Sequence, residues 1–176
     1  MSEDKKIQEF MDRVKEIEKG HKIDLSSDED LSIAIMNLIS IEEHLFFTAE
    51  KTGKNQYFEI LNQVRETRKE LLKRIIKDYE GEVWCISKHL LASSMRIMEV
   101  ATKALTKGDK KEAQDLFKKA YDLYNLFWGL NLGLVKKDDV GKIDQKNTEK
   151  NFVKKDSDFM GKLSGFVGKI LDCCRE

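Results

Sequence analysis

The stretch LSIAIMNLISIEEHLFFTAEKTG, residues 31–53, contains the pattern that decides the predicted fold. Its apolar side chains recur every three or four residues, as on one face of an α-helix that turns by about 100° per residue. Ile33, Met36 and Phe47 fall on the other side, so the helix is apolar nearly all round. Such a helix lies at the centre of a fold or forms half of an oligomer interface. We predict this first helix over residues 28–51, with Gly53 as its stop.

Three more helices are predicted from the same periodicity, over residues 55–79, 82–106 and 109–135. The chain has no proline, and no alternating run of β-branched residues competes as a strand. Only a few residues separate each helix from the next, and short connections join antiparallel neighbours. The predicted fold class is therefore all-α, with an antiparallel up-down four-helix bundle over residues 28–136.

The two ends of the chain each add a helix to this prediction. Residues 1–27 contain apolar side chains at helical spacing and then a polar stretch, which indicates an extra N-terminal docking helix followed by a linker. Residues 137–157 are rich in lysine, aspartate and asparagine and are predicted to be a polar linker. Residues 158–176 repeat apolar side chains at helical spacing, which predicts a short C-terminal amphipathic helix.

The amino-acid composition indicates which class of partner and which cellular compartment to expect. The 32 basic residues equal the 32 acidic ones, so no overall field attracts an anionic polymer, and nucleic-acid binding is not expected. Three cysteines without even spacing and a charged N-terminus without a signal segment indicate a reduced, cytoplasmic location. No window of about twenty uninterrupted apolar residues is present, so no transmembrane segment is predicted.

One carboxylate of the first helix is predicted to be buried, and its partner can be named. Glu42 falls in the apolar sector, whereas Glu43 projects to one side. In an antiparallel hairpin that turns near Gly53, position 42 lies about one helical turn from the level of Arg68, on the apolar face of the second helix. A guanidinium spans that offset, and a buried charge requires such a partner. We therefore predict a buried Glu42–Arg68 pair.

Other polar side chains also fall on the apolar faces of the helices. Two interpretations stay open. They form satisfied contacts that fix the register of the helices, or they line a polar pocket for a small ligand between the helices. The candidate ligand-binding residues are Glu42, Arg68, Ser87, Ser94, Tyr124 and Asn131.

The start of the third helix contains two candidate metal ligands. Cys85 and His89 are four residues apart and share a helical face, a spacing that can bring a thiolate and an imidazole to one metal ion. These two side chains provide only half of a site, and further ligands would come from elsewhere, with His44 or a second subunit as the candidates. No pair of helices carries the Glu-x-x-His motif of a di-iron bundle, and no phosphate loop or nucleophile-and-base arrangement is visible. No cofactor and no catalytic residue are therefore predicted.

From these features we expect a non-enzymatic protein-interaction or scaffold module that self-associates, through the outer apolar face of the first helix or through the terminal helices. The alternative is a small-ligand- or metal-binding helical bundle. It would use the inward polar set Glu42, Arg68, Tyr124 and Asn131.

Overall fold

The computed structural model describes residues 8, 11–12, 14–15, 26–76, 82–135 and 160–168, and all regular secondary structure in these residues is α-helical. Four helices carry the fold: α1 (Ser26–Thr52), α2 (Gln56–Ile75), α3 (Glu82–Thr106) and α4 (Lys110–Asn131). Residues 160–168, named the C-terminal segment, are also helical. The prediction of an all-α fold is confirmed.

The observed helix ends match the predicted ones within about two residues, except at the ends of α2 and α4. α2 ends at Ile75 instead of residue 79, because the backbone of Ile76 is extended. α4 ends at Asn131 instead of residue 135, because Gly133 adopts a φ of +69°. Residues 134 and 135 then donate their N–H groups to the carbonyl of Gly129 at 2.8 and 3.0 Å, which closes the helix.

The two hairpin turns that the structure describes each contain a glycine in the left-handed region. Gly53, between α1 and α2, has a φ of +64°, and Gly108, between α3 and α4, has a φ of +85°. A residue with a Cβ atom adopts such values only at a cost in free energy. The Asp109 carboxylate accepts a 3.0 Å hydrogen bond from the N–H of Glu112 and caps α4. The turns and the start of α4 are thus set by local sequence.

The helices pack mainly as two hairpins. α1 packs along α2, α3 packs along α4, and α1 also contacts α3. α3 and α4 run antiparallel, because Ser87 contacts Asn131 while Ser94, further along α3, contacts Ala120, earlier in α4. These contacts fit a helical bundle.

The core is formed by all four helices together with the C-terminal segment. Val14, from the described N-terminal residues, belongs to the same apolar cluster. The rest of the predicted N-terminal helix, the predicted linker over residues 137–157 and residues 169–176 lie outside the described residues. The largest fully buried apolar side chains are Ile35, Leu72, Ile76, Leu91, Phe127, Trp128, Leu163 and Val167.

We expect Gly53→Ala to lower the free energy of unfolding by about 1 kcal/mol, because the new Cβ strains the left-handed backbone. No atom lies within 4 Å of that Cβ, so the loss would come from the backbone alone. The matched control is Gly161→Ala, in equally open space on the C-terminal segment without a positive φ. There alanine favours the helix, and stability should stay equal or rise by about 0.5–1 kcal/mol. Urea denaturation measures both values, and equal losses would contradict the role assigned to Gly53.

Candidate functional site

The predicted pairing of Glu42 with Arg68 is confirmed. Arg68 Nε donates to Glu42 Oε1 at 2.6 Å, and a terminal guanidinium nitrogen donates to Oε2 at 3.1 Å. The Arg68 side chain is 5% exposed and that of Glu42 is 15% exposed. The pair is therefore bidentate and lies at the edge of the core, with the arginine buried and the carboxylate partly accessible.

A second polar contact joins α1 to α4. The hydroxyls of Ser32 and Tyr124 are 2.7 Å apart, and Ser32 Oγ donates to the carbonyl of Glu29 at 2.7 Å. A serine hydroxyl has only one proton, so Tyr124 is the donor to Ser32. Burial raises the pKa of Tyr124. Tyr124 is consequently neutral at physiological pH.

Two serines of α3 hydrogen-bond to α4. Asn131 Nδ2 lies 3.2 Å from Ser87 Oγ and 2.8 Å from the carbonyl of Phe127, and it donates to both. Ser94 Oγ donates to the carbonyl of Ala120 at 2.8 Å. Both serines are buried, so each contact removes a polar group from water with its partner in place.

The six candidate ligand-binding residues therefore do not converge on one point. They form four separate contacts, of which one joins α1 to α2, one joins α1 to α4 and two join α3 to α4. Each of the six already has a partner within the protein. A role in ligand binding stays a prediction from the sequence.

One buried polar residue of α4, Asn125, was not predicted from the sequence. Asn125 is fully buried, and its amide donates to Ser164 of the C-terminal segment at 2.9 Å. Ser164 Oγ donates in turn to the carboxylate of Asp122 at 3.3 Å. Asn125 stands inside the apolar run YNLFWGL, residues 124–130, and a polar residue in such a run is the signal that could have identified it.

Two buried polar atoms in this part of α4 make no hydrogen bond: the second amide atom of Asn125, Oδ1, and the indole nitrogen of Trp128, Nε1. The rings of Trp128 and Tyr124 pack edge to face with their centroids 6.2 Å apart. A buried donor and a buried acceptor one helical turn apart are a cost to stability of about 1–3 kcal/mol each unless a small polar molecule reaches them.

The three candidate metal ligands are all exposed. Cys85 and His89 lie on α3, and His44 lies on α1. In the part of the chain that the structure describes, no three His, Cys, Asp or Glu side chains form a group that could hold a metal ion. The described geometry therefore adds no support to the metal hypothesis.

α1 is long and apolar enough to cross a membrane, judged by length and composition alone, and it is the one such helix among the described residues. The core helix of a soluble protein passes the same test. Two carboxylates inside α1 pair with arginines of other helices, Glu42 with Arg68 and Glu43 with Arg96. The length and apolar character of α1 assign no location to the protein.

Comparisons of the chain with protein-family models, with curated proteins and with solved structures found no match.

We expect Glu42→Gln to lower the free energy of unfolding by about 1–4 kcal/mol, because it leaves the buried Arg68 charge without a full counter-charge. The matched control is Asp115→Asn, which weakens the exposed pair with Lys119 and should change stability by less than about 0.5 kcal/mol. Chemical denaturation gives both values. A Glu42→Gln variant as stable as its control would contradict the burial argument.

We expect the Tyr124 hydroxyl to stabilise the fold less above about pH 10. The effect is measured as the difference in free energy of unfolding between wild type and Tyr124→Phe. The folded pKa of Tyr124 is raised, so the unfolded chain loses the phenolic proton first as the pH rises. Below about pH 10 both states keep the proton and the difference is constant. Denaturation at pH 8 and pH 10.5 measures this difference. The lysines also titrate in this range, but they contribute equally to both proteins and drop out of the difference. A difference that stays constant over this interval would contradict the burial of the phenol.

Proposed function

We propose that this chain is a non-enzymatic protein-interaction or scaffold module that self-associates. The supporting observation is a set of large apolar side chains on α1 that stay 44–50% exposed: Ile33, Ile41, Phe46 and Phe47. A second copy that covered these side chains would remove them from water.

Large exposed apolar side chains lie in the C-terminal halves of α1 and α3, beside small buried ones such as Ala49, Ala101 and Ala104. Residues eleven positions apart are separated by three helical turns and share a face to within about 20°. Three buried residues have an exposed apolar counterpart at this distance: Ile35 with Phe46, Ser87 with Met98, and Ser94 with Leu105. These counterparts, together with Phe47, make up what we name the open end: Phe46, Phe47, Met98 and Leu105.

We also propose the up-down-up-down order for α1 to α4, which brings the members of the open end to one end of the bundle. Ser32 of α1 bonds to Tyr124 of α4. Tyr124 lies between Ala120 and Asn131, which bond to Ser94 and Ser87 of α3, so it is level with the part of α3 between these two serines. Further along α1, Glu43 bonds to Arg96, which lies further along α3. These contacts support parallel α1 and α3, whose C-terminal halves would then lie side by side.

The proposed organisation is a bundle over residues 28–136, with the flanking units 1–27, 137–157 and 158–176 as predicted from the sequence. We propose a cytoplasmic location and a protein partner, which for this chain is a second copy of itself. Balanced charge supports the choice of a protein over a nucleic acid as the partner.

The alternative function is that of a small-ligand- or metal-binding bundle. Its strongest support is the unsatisfied pair Asn125 Oδ1 and Trp128 Nε1, which a small polar molecule could satisfy. The inward set of Glu42, Arg68, Tyr124 and Asn131 supports it less, since each member bonds to the protein itself. A retained ligand or metal in the native mass spectrum of freshly purified protein would favour this alternative.

We expect wild-type protein at tens of micromolar to form a dimer or larger species, and Phe46→Glu to weaken this association by tenfold or more. Covering a phenylalanine stabilises an interface by about 1.5–3 kcal/mol, and each 1.4 kcal/mol is a factor of about ten in Kd. Analytical ultracentrifugation across a concentration series measures the change.

The matched control is Gln114→Glu, which adds the same charge at an exposed polar position of α4 and should leave association unchanged. At a protein concentration low enough that both variants are monomeric, their melting temperatures should agree, because both side chains are exposed. A wild-type protein that stays monomeric at all concentrations would overturn the proposed function.

A further inference from the structure

The C-terminal segment packs antiparallel against the second half of α4. Leu163 contacts Gly129, Ser164 bonds to Asn125, and the hydroxyl of Tyr121 lies against Gly168. Leu163 and Val167 are fully buried in this position, and Phe166 nearly so. We name the residues of α4 that receive the segment the seat: Tyr121, Asp122, Asn125 and Gly129.

The seat is shaped to one sequence and one register. A Cβ atom added at Gly129 would lie 3.1 and 3.2 Å from the two methyl carbons of Leu163, so the absent side chain is what admits the leucine. One added at Gly168 would lie 2.9 Å from the Tyr121 hydroxyl. Between these two contacts, Ser164 accepts from the buried amide of Asn125 and donates to Asp122. A helix shifted by one residue would leave that amide without a partner.

The chain that joins the segment to the bundle begins and ends beside the same residue. The Cβ position of Gly129 is 3.0 Å from Val135, where the described part of the bundle ends, and 3.1 Å from Leu163. Residues 136–159 connect these two points, and a chain of that length can extend to at most about 80 Å. The same segment can therefore reach the seat of its own chain or that of a copy in contact with it.

We propose that the seat accepts the C-terminal segment of a second copy of this chain as well as its own, so that two copies are joined by reciprocal exchange of residues 160–168. The exchanged segment would make the same contacts with Asn125 and Gly129 that it makes within one chain. The exchange rests on the proposed self-association. Within a free chain, a tethered segment has an effective concentration of about millimolar, which favours the closed form at micromolar protein. Once two copies are held together, own and exchanged segments compete on similar terms.

The test uses a fluorescent peptide of residues 157–172 and the full-length chain with Leu163→Asp, which disables the chain's own segment and leaves the seat intact. We expect saturable binding of the peptide by fluorescence anisotropy, and binding at least tenfold weaker to wild type, whose own segment competes. The peptide with Leu163→Asp should not bind. The peptide with Gly161→Asp adds the same charge where no atom lies within 4 Å and should bind as the unmodified one does.

Circular dichroism establishes that the Leu163→Asp chain is folded, and the full-length Ser164→Val variant, which removes only the hydroxyl partner of Asn125, serves as a second receptor. Failure of the peptide to bind either folded variant overturns the exchange. Ultracentrifugation separates this result from the proposed function. A Leu163→Asp chain that still dimerises while binding no peptide leaves self-association intact and excludes exchange. A wild-type protein that stays monomeric contradicts both self-association and exchange, even where the Leu163→Asp variant binds the peptide, because binding then shows only that the seat accepts this sequence.

Discussion

A guanidinium almost fully removed from water needs a counter-charge, and in this protein that charge comes from another helix. Arg68 of α2 forms two hydrogen bonds with Glu42 of α1, and both side chains lie among the apolar residues that join the helices. Sliding one helix by a turn would separate the charges and leave one of them buried alone, at a cost of several kcal/mol. The pair therefore fixes the register of the first hairpin, whereas apolar contacts alone would tolerate several registers. Separate contacts of Ser32 with Tyr124 and of Glu43 with Arg96 place α1 against α4 and α3.

α1 is the helix on which the other contacts depend. It bonds to α2 through Glu42, to α3 through Glu43 and to α4 through Ser32. Ser32 and Glu43 are eleven positions apart and share a face, so α3 and α4 meet the same side of α1. Its sequence is apolar nearly all round, and these neighbours do not cover all of it. The side chains left over are those on its outer face and in its last three turns. The same apolar pattern that drives α1 into the fold thus leaves it with an unsatisfied surface.

The Glu42–Arg68 pair was predictable because its two helices are consecutive and a glycine marks the turn between them. Once the turn is located, the residue that lies opposite a given position is found by counting along the two antiparallel helices. The Ser32–Tyr124 contact was not predictable in this way, since α1 and α4 are joined by no turn and their relative rotation depends on all the packing between them. The end of α4 was misplaced for a different reason: residues 132–135 are apolar, so the periodicity continues where Gly133 already breaks the helix. Asn125 was overlooked because its partner, Ser164, comes from a segment whose docking site the sequence does not specify.

Phe46, Phe47 and Leu105 of the open end lie at the far end of the proposed bundle from the seat, whereas Met98 lies about one helical turn beyond the level of Ser94. α4 begins at the Gly108 turn, beside Leu105 of the open end, and the seat occupies its last three turns. A second copy bound at the open end would therefore not block the seat, and a segment exchanged at the seat would not cover Phe46 or Met98. The two contacts also differ in character. The open end is apolar and tolerates several orientations, whereas the seat demands one register through a buried amide. A pair of copies first joined loosely through apolar surface and then fixed by an exchanged helix would use both: the first contact supplies proximity, and the second supplies specificity.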